Sequence, residues 1–142
     1  MQKVPVTVTE LFVYPVKSAR RAARERVPVT ATGLEWDRQW MIVNAQGMFL
    51  TQRSHPQLAR IVPEVAREAL LLNAPGLATL TVPLGAAGTP TPVRVWNDYC
   101  VGLDQGKDAE AWVTRAVGEP ARLNSNFVKG YTGLPVRIST RN

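Results

Sequence analysis

Short apolar segments alternate with turn-forming residues along most of this 142-residue chain, a pattern typical of β-structure. Proline and glycine separate many of the segments, as in Ala74-Pro75-Gly76, and they provide the dihedral angles that short connections require. The 11 prolines also argue against a mainly helical protein. The pattern predicts strands at residues 6–13, 39–44, 48–52, 59–65, 70–73, 77–82, 93–96 and 99–103.

One segment, at about residues 105–117, has the period of a helix. Its apolar residues recur at spacings of three and four: Ala109, Trp112, Val113, Ala116 and Val117. Asp104 or Asp108 is positioned to cap its amino end, and Gly118 and Pro120 follow where a helix closes. The apolar stripe is expected to cover an open side of a β-barrel; the alternative is that it binds a partner helix.

The segments 40–43 and 70–72 are apolar at every position, which predicts strands that are buried on both faces. A curled barrel, wrapped by the helix and by a long loop at 19–32, would bury them. The sequence therefore predicts a mainly β fold, with one barrel domain at residues 1–123 and a tail at 124–142. Within this tail, Leu134, Val136 and Ile138 would suit one short strand.

The chain is basic, with a formal net charge of +6. Arg20, Arg21, Arg24 and Arg26 lie close together, which raises the hypothesis of nucleic-acid binding. However, most aromatic residues lie within apolar runs, so we expect a solvated arginine loop and no specific nucleic-acid binding. The sequence has no signal-peptide pattern and no apolar run of membrane-spanning length, so no membrane insertion and a cytoplasmic location are expected.

The segment LFVYPVKS at residues 11–18 is an apolar strand that ends in a cation and a hydroxyl group. Pro15 lacks an amide hydrogen, which favours an edge strand or a bulge at this point. The ammonium group of Lys17 and the hydroxyl group of Ser18 are suited to a phosphate or a similar oxyanion. A solvated turn is the alternative interpretation.

Several segments resemble, in this order, the amino-terminal β-barrel domain of MOSC proteins, a molybdenum-cofactor family that includes amidoxime-reducing and cofactor-sulfurating enzymes. The resemblance covers about residues 6–123. It rests on the segments 11–18, 36–43 and 48–53, with Gly33-Leu34 before the second, and on 71–76, 93–96, 102–106 and Trp112.

The resemblance implies that Lys17, Ser18 and Arg38 contact a molybdopterin-type cofactor and its phosphate, with Arg20 and Arg53 as weaker candidates. A lysine, a hydroxyl group and an arginine fork are chemically complementary to a phosphate dianion. The family usually has a cysteine and a glycine soon after the serine, whereas Ala19-Arg20-Arg21 follows Ser18 here.

In the family, a carboxy-terminal MOSC domain supplies the cysteine thiolate that ligates molybdenum. Because the chain ends at Asn142, we expect it to lack that domain and not to be catalytic alone. The resemblance thus implies a stand-alone binding module, completed by a partner protein that carries a MOSC domain. The alternative is a structural or protein-interaction remnant that binds no cofactor.

Two other reactive side chains are expected to be structural. Cys100 lies in a strand-like apolar segment and is interpreted as a small buried hydrophobe. His55, the single histidine, is interpreted as a surface-turn residue, because no second histidine or nearby cysteine forms a metal-binding pattern with it.

Overall fold

The computed structural model describes residues 2–85 and 88–125. Within these residues the chain is mainly β, with one α-helix, as the sequence predicts. The strands are β1 (Leu11–Val13), β2 (Ala22–Arg24), β3 (Val29–Thr30), β4 (Gly33–Leu34), β5 (Trp40–Asn44), β6 (Val62–Val65), β7 (Ala69–Asn73), β8 (Leu80–Pro83), β9 (Thr89–Val95), β10 (Asp98–Asp104) and β11 (Ala121–Ser125). The helices are a 3₁₀-helix (Pro56–Arg60) and α1 (Lys107–Val117).

The largest sheet has the strand order β5-β11-β10-β9, and all of its pairs are antiparallel. The strands β6, β7 and β8 form a second sheet, and β1-β2 and β3-β4 form two small ones. Within the described residues, none of these four sheets closes on itself through continuous strand pairing. The barrel-like domain is therefore assembled from separate open sheets.

Strand β5 is covered on both faces, as its continuous apolar sequence predicts. Trp40 and Ile42 belong to the main core, whereas Met41 and Val43 lie in a second buried cluster. The same prediction was wrong for 70–72. In β7 only Leu70 and Leu72 are fully buried, and Leu71 is intermediate, because the sheet β6-β7-β8 has one face toward the core.

Helix α1 packs against β11, β8 and the 3₁₀-helix, so its apolar stripe covers the main core as expected. Trp112 also donates a hydrogen bond from Nε1 to the carbonyl oxygen of Ala78, at 2.7 Å. The start of the helix differs from the prediction. Its cap is Gly106, whose amide donates to the side chain of Asp104. At the other end, Gly118 takes the left-handed conformation that closes a helix (φ 85°).

Several predicted strands differ from the observed ones. Only Leu11–Val13 of the segment 6–13 forms a strand, and Val4, Val6 and Val8 are exposed, since no strand pairs with them in the described region. The segment 48–52 makes only isolated bridges, from Met48 and Phe49.

Other differences extend the β-structure. The expected loop 19–32 contains β2 and β3, and the predicted strand 93–96 begins earlier, at Thr89. Pro90 and Pro92 are tolerated there because β9 is the edge of its sheet. Strand β11 was not predicted, and it continues through Asn124 and Ser125, which are buried. The expected strand around Leu134 lies outside the described residues.

In the described part of the chain, no helix is both long enough and apolar enough to span a membrane.

Candidate functional site

Backbone hydrogen bonds hold the end of the first strand region against the start of β5. The amide of Lys17 donates to the carbonyl of Trp40 at 2.8 Å, and the amide of Trp40 donates to the carbonyl of Pro15 at 3.0 Å. The amide of Arg38 donates to the carbonyl of Tyr14 at 2.6 Å. These bonds bring Lys17 and Ser18 beside Arg38, and we refer to these three residues as the cation site.

The ammonium group of Lys17 lies against two aromatic rings. Its Nζ is 4.2 Å from the ring centroid of Phe49 and 5.7 Å from that of Trp96. Burial, and secondly the positive charge of Arg38, lower the pKa of Lys17 below its ordinary value of 10.5. The two cations therefore lie close enough to repel each other.

Asp37 positions the guanidinium group of Arg38. The Nη1 atom of Arg38 donates to Oδ2 of Asp37 at 2.6 Å, and Oδ1 of the same carboxylate accepts from the amide of Tyr14 at 2.8 Å. The guanidinium carbon also lies 5.0 Å from the ring centroid of Tyr14. Because 56% of the Arg38 side chain is exposed, this oriented cation can be reached from solvent.

The backbone around the cation site adopts conformations that are costly for residues with a side chain. Four described residues other than glycine have positive φ angles: Ser18 (64°), Trp36 (65°), Arg38 (53°) and Trp96 (54°). Two belong to the cation site, Trp96 lies near Lys17, and Trp36 stacks on Trp40 with 5.7 Å between ring centroids. Such conformations cluster at functional sites in proteins.

The comparisons with known proteins agree with this architecture. The model of a protein family, the MOSC N-terminal beta barrel domain, matches residues 5–120. The chain belongs to this family. The resemblance stated from the sequence is thereby confirmed.

In two curated relatives, the region that matches this MOSC N-terminal domain is a minor part of a longer protein. The chain is 36% identical over 124 residues to a molybdenum cofactor sulfurase from Danio rerio, covering 82% of this chain and 15% of that protein. It is 32% identical over 114 residues to mitochondrial amidoxime reducing component 2 from Bos taurus, covering 76% and 34%. The chain therefore spans a minor part of the curated relatives that it matches.

A solved structure is also similar to this MOSC N-terminal domain. It is the solution structure of a protein from Bordetella bronchiseptica, at 25% sequence identity and a TM-score of 0.57. The match covers 69% of this chain and 84% of that one, and it supports the fold described above.

The two weaker arginine candidates of the MOSC N-terminal domain, Arg20 and Arg53, are both exposed. The backbone amide of Arg20 donates to the carbonyl oxygen of Ile61 at 3.0 Å. Gln52, which precedes Arg53, donates from Nε2 to the carbonyl oxygen of Ser18 at 2.9 Å.

The sequence did not indicate that Phe49 and Trp96 belong to the surroundings of Lys17. Trp96 lies in the two-residue turn between β9 and β10, so its approach to Lys17 depends on long-range packing.

Cys100 and His55 are both partly buried. Cys100 is half-buried beside the second hydrophobic cluster, and burial, together with the charge of Asp98, raises the pKa of its thiol. His55 follows a turn but is not a simple surface residue, since only 15% of its side chain is exposed. Its ring nitrogens contact Ser54 and Glu119. The described residues contain no cluster of potential metal ligands.

We expect the pKa of Lys17 to lie below its ordinary value of 10.5. Arg38→Ala should raise this pKa only part of the way back to 10.5, because burial lowers it more than the charge of Arg38 does. The unfolded chain binds more protons at pH values between the folded pKa and about 10.5, so stability increases with pH across this window. Side-chain NMR titration of Lys17 measures the effect. An unchanged Lys17 pKa in Arg38→Ala would contradict the proximity of the two charges.

Ser18→Gly is expected to be more stable than Ser18→Ala by about 1 kcal/mol, because glycine adopts the left-handed conformation without steric cost. Both substitutions remove the hydroxyl group, so their comparison isolates the backbone effect. Urea unfolding of the two variants measures this difference. Equal stabilities would indicate that the positive φ angle of Ser18 carries no strain.

Proposed function

We propose that the cation site of this MOSC N-terminal domain binds the phosphate of a molybdopterin-type cofactor, and that a partner protein carrying a MOSC domain completes the site. The observation that carries the proposal is the convergence of Lys17 and Arg38. Two cations that repel each other in the free protein gain from a shared anion, because a phosphate replaces the repulsion with attraction.

The residues present fit the phosphate end of such a cofactor. An ammonium, a hydroxyl and a guanidinium group are strong donors, and guanidinium binds phosphate in a planar, two-pronged geometry. Trp96, with 63% of its surface exposed, offers an aromatic face beside Lys17 that suits a flat heterocycle. When bound, the cofactor would supply redox and sulfur chemistry at molybdenum, and the residues of this chain would hold its phosphate and orient it.

An amide chemical-shift titration with a pterin phosphate tests the proposal, with inorganic phosphate as the control for charge alone. We expect saturable shifts confined to Lys17, Ser18, Arg38 and adjoining residues, with tighter binding of the pterin compound. Diffuse shifts over the arginines at 20–26, equal for both ligands, would contradict the proposal.

A second candidate function is a structural or protein-interaction role without a cofactor. It is supported by the contacts that the two cations already make, Arg38 with Asp37 and Lys17 with Phe49. The sequence after Ser18, which lacks the usual cysteine and glycine, also favours it. Purification from a host that synthesises the cofactor distinguishes the two functions, because a stoichiometrically bound pterin would contradict the purely structural role.

A further inference from the structure

A cleft separate from the cation site lies between the 3₁₀-helix, the turn that follows β7, and the last turn of α1. Its volume is about 120 Å³. We call it the arginine cleft and define it by these lining residues: Gln57, Arg60, Ala74, Leu77, Arg115 and Ala116. The residues of the cation site are not among those that line it.

Two arginines line the cleft. Arg60 lies in the last turn of the 3₁₀-helix and Arg115 in the last turn of α1. Neither forms an ion pair with another described residue, and no acidic side chain is among the described lining residues. Two like charges therefore border one concave surface without a counter-charge from the described protein.

Gln57, which lines the cleft, also contacts the carboxyl end of α1. Its Nε2 donates to the carbonyl oxygen of Val117 at 2.5 Å, which satisfies one of the acceptors left at the end of α1. The negative end of the helix dipole favours the guanidinium group of Arg115 at this position and opposes a bound anion, so the two arginines have to outweigh it.

Ala74, Leu77 and Ala116 add apolar groups to the lining of the cleft. A ligand that matches this lining would combine an anionic head with a short apolar body. Guanidinium groups bind carboxylate and phosphate heads through paired hydrogen bonds.

We propose that the arginine cleft is an anion-binding site for a small organic acid, whose carboxylate or phosphate group contacts Arg60 and Arg115 and whose short apolar body contacts Ala74, Leu77 and Ala116. The cleft shares no residue with the cation site, so this proposal does not depend on the proposed function.

An amide chemical-shift titration of the full chain tests the arginine cleft, with butyrate, acetate and inorganic phosphate as probes. We expect saturable shifts at Gln57, Ala74 and Ala116, and tighter binding of butyrate than of acetate, because the longer chain contacts the apolar lining residues. Tighter binding of phosphate than of acetate would assign a phosphate head to the ligand, and the reverse order would assign a carboxylate.

Three arginine variants separate the cleft from general charge effects. Arg60→Gln and Arg115→Gln should each weaken butyrate binding about five- to tenfold, a range reduced for the exposure of these side chains. Arg67→Gln removes the same charge from an exposed residue outside the cleft and should change the affinity less than about twofold. Equal losses in all three variants, or shifts that do not saturate, would overturn the proposal.

Discussion

Arg38→Ala is expected to weaken phosphate binding at the cation site by about 1.5–3 kcal/mol, the usual range for a hydrogen bond to a charged group. This corresponds to a roughly 10- to 150-fold lower affinity. The guanidinium group contributes both charge and directed donors, and Asp37 already holds it in place in the free protein. The measurement is an NMR or calorimetric titration of the pterin phosphate into the wild-type chain and the variant.

Arg26→Ala is the matched control, since it removes one positive charge from an exposed arginine in the 20–26 cluster. We expect its affinity to remain within about twofold of wild type, because an exposed charge is screened by solvent and salt. If Arg26→Ala and Arg38→Ala lose affinity equally, the ligand responds to net charge and the cation site has no special role. An unchanged affinity in Arg38→Ala would contradict the proposed function.

Leu123→Ala is expected to reduce the free energy of unfolding by about 2.5–5 kcal/mol, as is typical for the loss of a fully buried leucine. Leu123 is fully buried in β11, in the core that α1 covers. The substitution removes apolar contacts and leaves a cavity between the sheet and the helix. Such a loss is a large fraction of the roughly 5–15 kcal/mol that stabilises a typical domain. Urea unfolding, followed by circular dichroism, measures it.

Val101→Ala on the neighbouring strand β10 is the control for this measurement. Val101 is 44% exposed, so its truncation should cost less than about 1 kcal/mol, because most surface substitutions have small effects. If Leu123→Ala also cost less than about 1 kcal/mol, the burial of Leu123 beneath α1 would contribute little to stability.

Helix α1 illustrates how well local patterns predicted the elements. The spacing of Trp112, Val113 and Val117 was enough to place the helix and its buried face, and Gly118 marked its end. Its beginning was less predictable. The side chain of Asp104 accepts a hydrogen bond from the amide of Gly106, and no side chain caps the first turn of the helix. A capping choice depends on loop geometry that the periodicity of the helix does not encode.

The strands show the limit of the same reasoning. Continuous apolar sequence correctly predicted that β5 is buried on both faces, but it failed for Leu71, which belongs to a sheet with one face toward the core. Val6 and Val8 fit the pattern of a strand and are nevertheless exposed. A strand needs a pairing partner as well as suitable residues, and partners are selected by contacts distant in sequence.

The order of residues along the chain was sufficient to indicate the family, the mainly β class, the single helix, and Lys17, Ser18 and Arg38 as candidates. These features depend on local periodicity, turn chemistry and motifs that neighbouring residues carry. Folding was required to bring Phe49 and Trp96 to Lys17, and Arg60 to the same cleft as Arg115. The physical reason is that residues far apart in the chain together determine the shape and charge of a site. The packing of the sheets and the helix sets the distances between those residues.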